Sequence, residues 1–518
     1  MQPELAFVAL FSVATAVALI ARRLRVPYTV ALVVTGLLLG SAHVLHPPHL
    51  TKELLYAVFL PGLVFETAFA LELKHFRANV RPILSLALPG LVVAVVLTAG
   101  LLVPVANGLH VVEAFSLGTG LVFASLIAAT DPIAVVALFK GVGAPGRLRI
   151  LIEGESLLND GTAVVVFTLV LGAVTGGGFE LMPALLEFSR VVGMGVLIGA
   201  AVGFAASEVI RRVDDPMIEI TLTTIAAYGS FVAAEHFHNS GVIATVTAGM
   251  LCGNYAARAG MTASTRVAVS TFWEYLAFAL NSIVFLLIGF EVQVGALLRA
   301  WKPIVVAYLA VTVGRALVVY AVTAIARRSG DRMPWSWGAV LTWGGLRGGL
   351  SMVLVLAIPP SIPHRDLLVT MTFGVVVLSI LLQGMTMGTV LRRLGLVAQA
   401  EGRREYERLR GALKAVRSAK AEIERASTEG SVSHDTADQL MVEYDRRLGE
   451  IEAAVKAMHG QTAGLQREEQ TTLQRRALVA EKDAILLAFR AGELSEEAYD
   501  ELVADVDARL FELEKRES

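Results

Sequence analysis

The residues best placed to do chemistry are acids and polar groups inside long apolar runs. The segment LIEGESLLNDGTAVVVF, beginning at Leu151, carries Glu155, Ser156, Asn159 and Asp160. On a helix, 155 stacks with 159 and 156 with 160, so these residues make one polar stripe on an apolar rod. The stripe offers carboxylate, hydroxyl and amide oxygens, which are hard ligands suited to an alkali cation, and no His or Cys cluster suited to zinc. Upstream, LVFASLIAATDPIAVVALF places Asp131 directly before Pro132. Proline has no N–H and pushes its predecessor out of the helical region, so a break is predicted at Thr130–Asp131. Downstream, AVLTWGGLRGGLSMVLVLAIP sets Arg347 among Gly344, Gly345, Gly348 and Gly349, a second predicted interruption with a fixed positive charge. Arg315 is another cation, and Glu66, in LPGLVFETAF, another acid, in an apolar run. Glu155 can neutralise Arg315 or Arg347, and the sequence does not choose between them.

The elements that must hold these groups are membrane spans. The chain is 55% hydrophobic and 17% charged, with a mean hydropathy of +0.64; soluble domains carry about a quarter charged residues. A bilayer core of ~30 Å takes about 20 apolar residues per helix. Thirteen spans are predicted, near 4–21, 29–45, 52–70, 83–105, 113–139, 146–172, 187–210, 217–235, 239–257, 270–291, 302–326, 336–359 and 366–391. Alternate loops then hold 18 Lys/Arg, Arg22, Lys74, Lys140 and Arg327 among them; the other side holds 5, namely Lys52, Arg190, Arg299, Lys302 and Arg365. By the positive-inside rule the N-terminus is outside and the C-terminal region cytoplasmic. Ionisable groups in spans are costly and tend to mark a pathway. Broken helices free backbone carbonyls that can hold small ions. The expected fold class is thus an all-α polytopic membrane protein with a charged helical appendage.

ATDPIAVVALFK, EGESLLNDGTAVVVF and GGLRGGLS, in this order, resemble the cation–proton antiporter family of the sodium/proton-exchanging NhaP and NHE type. The resemblance spans roughly residues 1–395. It implies an NhaA-like fold of inverted repeats with two discontinuous crossing helices. Core helices would fall at about 83–172 and 302–391 and dimerisation helices at about 4–70 and 187–291. It also implies that Asp160 binds Na⁺ and H⁺, with Asp131, Ser156, the Thr130 carbonyl and Glu66 helping to hold the ion. Asn159 beside Asp160 is similar to the pair of the electroneutral branch and would count among the ion- and proton-binding residues, and Glu155 with Arg315 or Arg347 would be a structural ion pair.

One carboxylate contested by Na⁺ and H⁺ couples their movements if only the neutralised site crosses the barrier. A neutral Asn159 releases no proton, which predicts one Na⁺ for one H⁺, with Li⁺ a possible substitute for Na⁺. Oxygen ligands do not fix ion size, so K⁺/H⁺ exchange is the open alternative. A tail-gated channel would need a continuous pore with repeated filter elements, where the sequence has one asymmetric site. No nucleophile–base pair suggests an enzyme, no basic excess suggests nucleic acid, and no cofactor beyond the transported ions is implied. The single cysteine, Cys252, excludes an intramolecular disulfide.

Residues 399–518 hold 19 of the 44 Lys/Arg and 26 of the 46 Asp/Glu. They repeat at a spacing of 62: Lys420, Gly430, Ser433, Asp438, Leu440, Arg447 and Leu448 recur as Lys482, Gly492, Ser495, Asp500, Leu502, Arg509 and Leu510. Two helical hairpins are predicted, over 401–428 with 434–458 and 466–490 with 496–516, with Ser433 and Ser495 as N-caps. Their role is open between regulation, help in dimerisation, and a solvated appendage. His43, His46 and His49, like His236 and His238, read as ordinary loop histidines; the glycines at 176–178 read as a loop and 384–388 as a small-residue packing surface.

Overall fold

The computed structural model describes residues 3–24, 26–42, 55–112, 114–142, 144–176, 178, 180–257, 260–330, 333–429, 432–461, 463–490 and 493–517, and all its regular elements are helical. The predictions concerning Arg25, residues 43–54 (with His43, His46, His49 and Lys52), Gly177, Arg258, Arg332, Gly430 and Gly492 lie outside the described residues. The chain separates into two compact units at Leu394/Gly395. Gly395 has φ +70°. It ends the preceding helix in the left-handed conformation that glycine adopts without strain.

In the first unit, α1 (Pro3–Leu24), α2 (Tyr28–Ser41) and α3 (Leu60–Ala70, entered through a π-helical turn at Leu55–Phe59) lead to the short α4 (Leu73–Ala78). α5 runs continuously over Val80–Gly108. It widens into a π turn at Leu86–Gly90, where Pro89 has no N–H to give. α6 (Leu117–Leu126) and α7 (Ile133–Val142) are two halves of one interrupted helix, followed by the 31-residue α8 (Gly146–Gly176). Then come α9 (Leu181–Ile210), α10 (Pro216–His236), α11 (Gly241–Leu251), α12 (Ala263–Glu291), α13 (Val294–Arg299) and α14 (Trp301–Arg328). A second interrupted helix follows as α15 (Trp335–Trp343) and α16 (Gly349–Leu356). α17 closes the unit over Arg365–Arg393.

Helix starts follow local chemistry. Ser116 accepts from the Thr119 N–H, Ser240 from Ile243, and Asp215 from both Met217 and Ile218 ahead of α10, each satisfying an orphan N–H. Seven described helices are long and apolar enough to cross a membrane, and three more apolar helices are shorter. Large apolar side chains such as Leu19, Leu197, Phe204 and Ile225 are more than half exposed, as in a chain whose outer surface meets hydrocarbon. The protein is thus a multi-pass membrane protein. Lipid gives helices no hydrophobic reason to associate, so close contact falls to small residues. A methyl group on Gly36 of α2 would overlap the backbone of α12 at Leu286 and Gly289, and one on Gly203 of α9 would meet Ala248 of α11.

In the second unit, α18 (Leu396–Thr428) pairs with α19 (His434–Gln461), and α20 (Ala463–Arg490) with α21 (Glu496–Glu517). The repeat at 62 is written into their contacts. Lys420 bridges to Asp445, and Lys482 bridges to Asp507. The Thr436 N–H donates to Ser433 and the Ala498 N–H to Ser495, each at 3.3 Å. Val416 and Leu478, also 62 apart, are both buried.

Candidate functional site

The two interruptions meet. α6 stops at Leu126, several residues earlier than Pro132 alone would require, and residues 128–132 are non-helical. Arg347 extends the break. Its guanidinium donates to the carbonyls of Ala128 (2.8 Å) and Ala129 (3.3 Å), pairing carbonyls that a helix would otherwise use. Its own N–H donates to Ser379 Oγ of α17 at 3.1 Å. The Asp131 N–H donates to the Leu346 carbonyl at 2.7 Å, so the two broken segments are joined backbone to backbone. The Asp131 carboxylate turns back to accept from the Ile133 N–H at 3.0 Å, which caps the start of α7.

α8 passes this crossing and presents two faces to it. Ser156 and Asp160 face a cavity of about 110 Å³, together with Glu66, Thr67, Thr130, Asp131, Asn281 and Gly348. Ser156 Oγ donates to the Thr130 carbonyl, and Thr67 Oγ1 donates to Glu66 Oε2 at 3.3 Å. Two carboxylates, Asp131 and Asp160, thus share one partly buried space with a third at Glu66. Gly348 keeps it open: a methyl there would overlap the Asp131 side chain. These oxygens suit a hard monovalent cation or a proton, and no described group of three His, Cys, Asp or Glu could hold a resident metal ion.

Glu155 and Asn159 occupy the adjacent face, 100° around the helix, and look into a smaller space of about 30 Å³ with Thr98, Arg315 and Arg347. Asn159 Nδ2 donates to Glu155 Oε1 and Thr130 Oγ1, both at 3.2 Å. It therefore lies behind the carboxylate cavity, not in it. Arg315 grips Glu155 in a two-pronged bridge, Nη1–Oε1 2.8 Å and Nη2–Oε2 3.2 Å. It also donates to the Leu341 carbonyl at the end of α15. The choice the sequence left open falls to Arg315; Arg347 spends its donors on carbonyls. Gly345 makes room for this pair, since a methyl there would collide with the Arg315 guanidinium.

A third cavity, of about 200 Å³, also touches Glu66 and is lined by Glu72, Asn254, Arg266, Ser270 and Glu274. The sequence reading passed over Glu274, although an acid inside the tenth apolar run was a signal of the kind used for Glu66. Asn281 gave no such signal.

A model of the family described as "Sodium/hydrogen exchanger, transmembrane" matches residues 8–393. The chain belongs to the transmembrane sodium/hydrogen exchanger family. The motifs quoted above and both broken helices fall inside the matched exchanger region. The chain is 34% identical to the Na⁺/H⁺ antiporter ApNhaP of Aphanothece halophytica, over 91% of this chain and 89% of that one. It is 38% identical to the low-affinity Na⁺/H⁺ antiporter NhaS1 of Synechocystis sp., over 77% and 76%. Among solved structures it resembles the sodium proton antiporter MjNhaP1 of Methanocaldococcus jannaschii, with a TM-score of 0.62 at 18% identity, covering 77% of this chain and all of that one. The last likeness speaks for the NhaP-type fold of this exchanger family.

Proposed function

We infer that this protein exchanges Na⁺ for H⁺ across a membrane, with Asp160 as the contested group and Asp131, the Thr130 carbonyl, Ser156 and Glu66 completing the ion's oxygen shell. The observation that carries this is the shared cavity: two carboxylates at the crossing of two interrupted helices. The names of the relatives support the same activity. Either cation neutralises the site, and the two compete for the same oxygens. A bare carboxylate taken across an apolar barrier loses several kcal/mol of solvation. The empty site therefore stays where it is, and each crossing carries one cation or the other. Asn159 is neutral and engaged with Glu155, which supports exchange of one Na⁺ for one H⁺ without net charge movement. Such exchange serves control of internal pH and sodium.

The same reading assigns thirteen crossings, counting α6/α7 and α15/α16 as one each and leaving out the short α4 and α13. It makes α5–α8 and α14–α17 two inverted repeats, because each group holds its broken helix in the middle. The N-terminus is outside, the region from Gly395 on is cytoplasmic, and α1–α3 with α9–α12 form the interface of a homodimer. The test is cation-driven proton movement in proteoliposomes, wild type beside Asp160→Asn. Loss of Na⁺-dependent proton movement in the variant is expected. Normal exchange by it removes the mechanism, and a wild-type rate that responds to membrane voltage removes the one-for-one stoichiometry. K⁺ in place of Na⁺ tests ion choice in the same vesicles.

A further inference from the structure

The two hairpins of the tail share one architecture, which makes their difference informative. In each, the inward face of the first helix follows the same spacing: 416, 420, 423 and 427 in α18, and 478, 482, 485 and 489 in α20. The second helices answer with 437, 441, 444 and 448, and with 499, 503, 506 and 510. The two sets are offset by 62, and every one of these positions is buried or half-buried. The outward faces differ. In α20, Leu473, Ala477, Ala480, Ala484 and Leu487 recur at alternating steps of four and three, the period of a coiled-coil seam. All five are exposed, the leucines at 67% and 66%. They lie opposite the face that packs on α21. The equivalent positions of α18 are Gly411, Ala415, Ser418, Glu422 and Arg425, which make no seam.

We propose that the outward face of α20 pairs with the same face of a second copy of this chain, as an antiparallel two-helix seam. Charge favours this occupant. In the register that stacks Ala477 on the partner's Ala480 and Leu473 on the partner's Ala484, a two-fold axis passes between the levels of Leu478 and Val479. The sequence positions flanking the seam on one side then match basic to acidic: Arg476 opposite the partner's Asp483, and Glu469 opposite the partner's Arg490. Each match occurs twice by symmetry. Alanines in the middle let two helices approach to about 8 Å, and Leu473 of each copy, over the partner's Ala484, closes an end. Hairpin one carries a serine, a glutamate and an arginine on this face and stays in water. The pairing extends the dimeric reading given above, and its test keeps the two apart.

The experiment uses full-length protein in membranes with Cys252, the only cysteine, replaced by alanine. Ala480→Cys sits near the axis and Ser418→Cys is its counterpart in hairpin one. Mild oxidation should convert most of the Ala480→Cys protein to a disulfide-linked dimer and leave Ser418→Cys monomeric on non-reducing gels. Adding Arg476→Asp to Ala480→Cys should cut that dimer several-fold, and the exchange Arg476→Asp with Asp483→Arg should restore it. Absent cross-linking at Ala480→Cys, or equal cross-linking at both positions, overturns the seam. A charge exchange that fails to restore overturns the antiparallel register. Light-scattering mass of the wild type in detergent separates the two readings. A monomer removes the dimer and the seam together, whereas a dimer without Ala480→Cys cross-linking removes the seam alone.

Discussion

Glu155–Arg315 and Lys420–Asp445 are both acid–base pairs between helices, yet they sit in different media. The first is 3% and 12% exposed, inside an apolar body; the second is 21% and 54% exposed, on a hairpin in water. Solvent decides what each is worth. In water the ions are already stabilised, and joining them gains little. In the apolar interior each ion has lost its hydration, so the partner is indispensable. The membrane body therefore uses fewer charges and holds Glu155 and Arg315 closely together, while the tail uses many and depends on none singly.

The contrast is broken or sharpened by substitutions of graded effect. The largest is expected at Asp160, where Asn keeps the shape and removes the ionisable group. Na⁺-driven proton movement should fall to that of empty liposomes while the purified protein keeps its melting temperature. Next is Arg315→Ala, which strands Glu155 and should cost about 3–5 kcal/mol of stability, read as a lowered melting temperature in detergent. Replacing both partners, Glu155→Gln with Arg315→Met, should recover much of that loss; if the single and double variants melt alike, the pair is not what burial makes it. Gly348→Ala comes third. The glycine has φ −125°, a conformation alanine accepts, so the harm is the collision with Asp131 alone. An overpacking cost of about 1–3 kcal/mol placed on the ion site raises half-saturating Na⁺ about 5- to 150-fold. Gly100→Ala, which points into open space, should leave it unchanged.

Smaller effects lie nearer water. Glu274→Gln removes one acid from the third cavity and should raise half-saturating Na⁺ about two- to fivefold at low ionic strength. The difference should fade as salt rises, because exposed charges are screened; a salt-independent effect would place Glu274 in the inner site instead. The smallest change is expected from Lys420→Ala or Lys482→Ala, each less than about 1 kcal/mol in the unfolding of the tail. The two should be alike, because the pairs are the same pair repeated. A large loss from either would erase the distinction between the two media.

Much of this was legible in the residues. Pro132 and the glycines around Arg347 announced both interruptions, because a missing N–H and a missing Cβ act locally. The i, i+4 pairs on α8 were legible for the same reason. What escaped was how 100° of helix rotation divides the polar stripe. Ser156 and Asp160 face one space, Asn159 and Glu155 another, and no local rule says where a neighbouring helix will open a void. The early end of α6 escaped too, because the group that holds its carbonyls comes from Arg347, more than two hundred residues away.

The amino-acid sequence by itself determined that this is a multi-pass membrane protein, that two of its helices break and which acids they carry. These follow from the solvation of each residue and the hydrogen bonds of its own backbone. Only the tertiary structure decided that Arg315 answers Glu155, that Asp131 and Asp160 share one cavity, and that Arg347 holds the end of α6. Those outcomes depend on the distance and angle between helices, which are set by how whole surfaces pack.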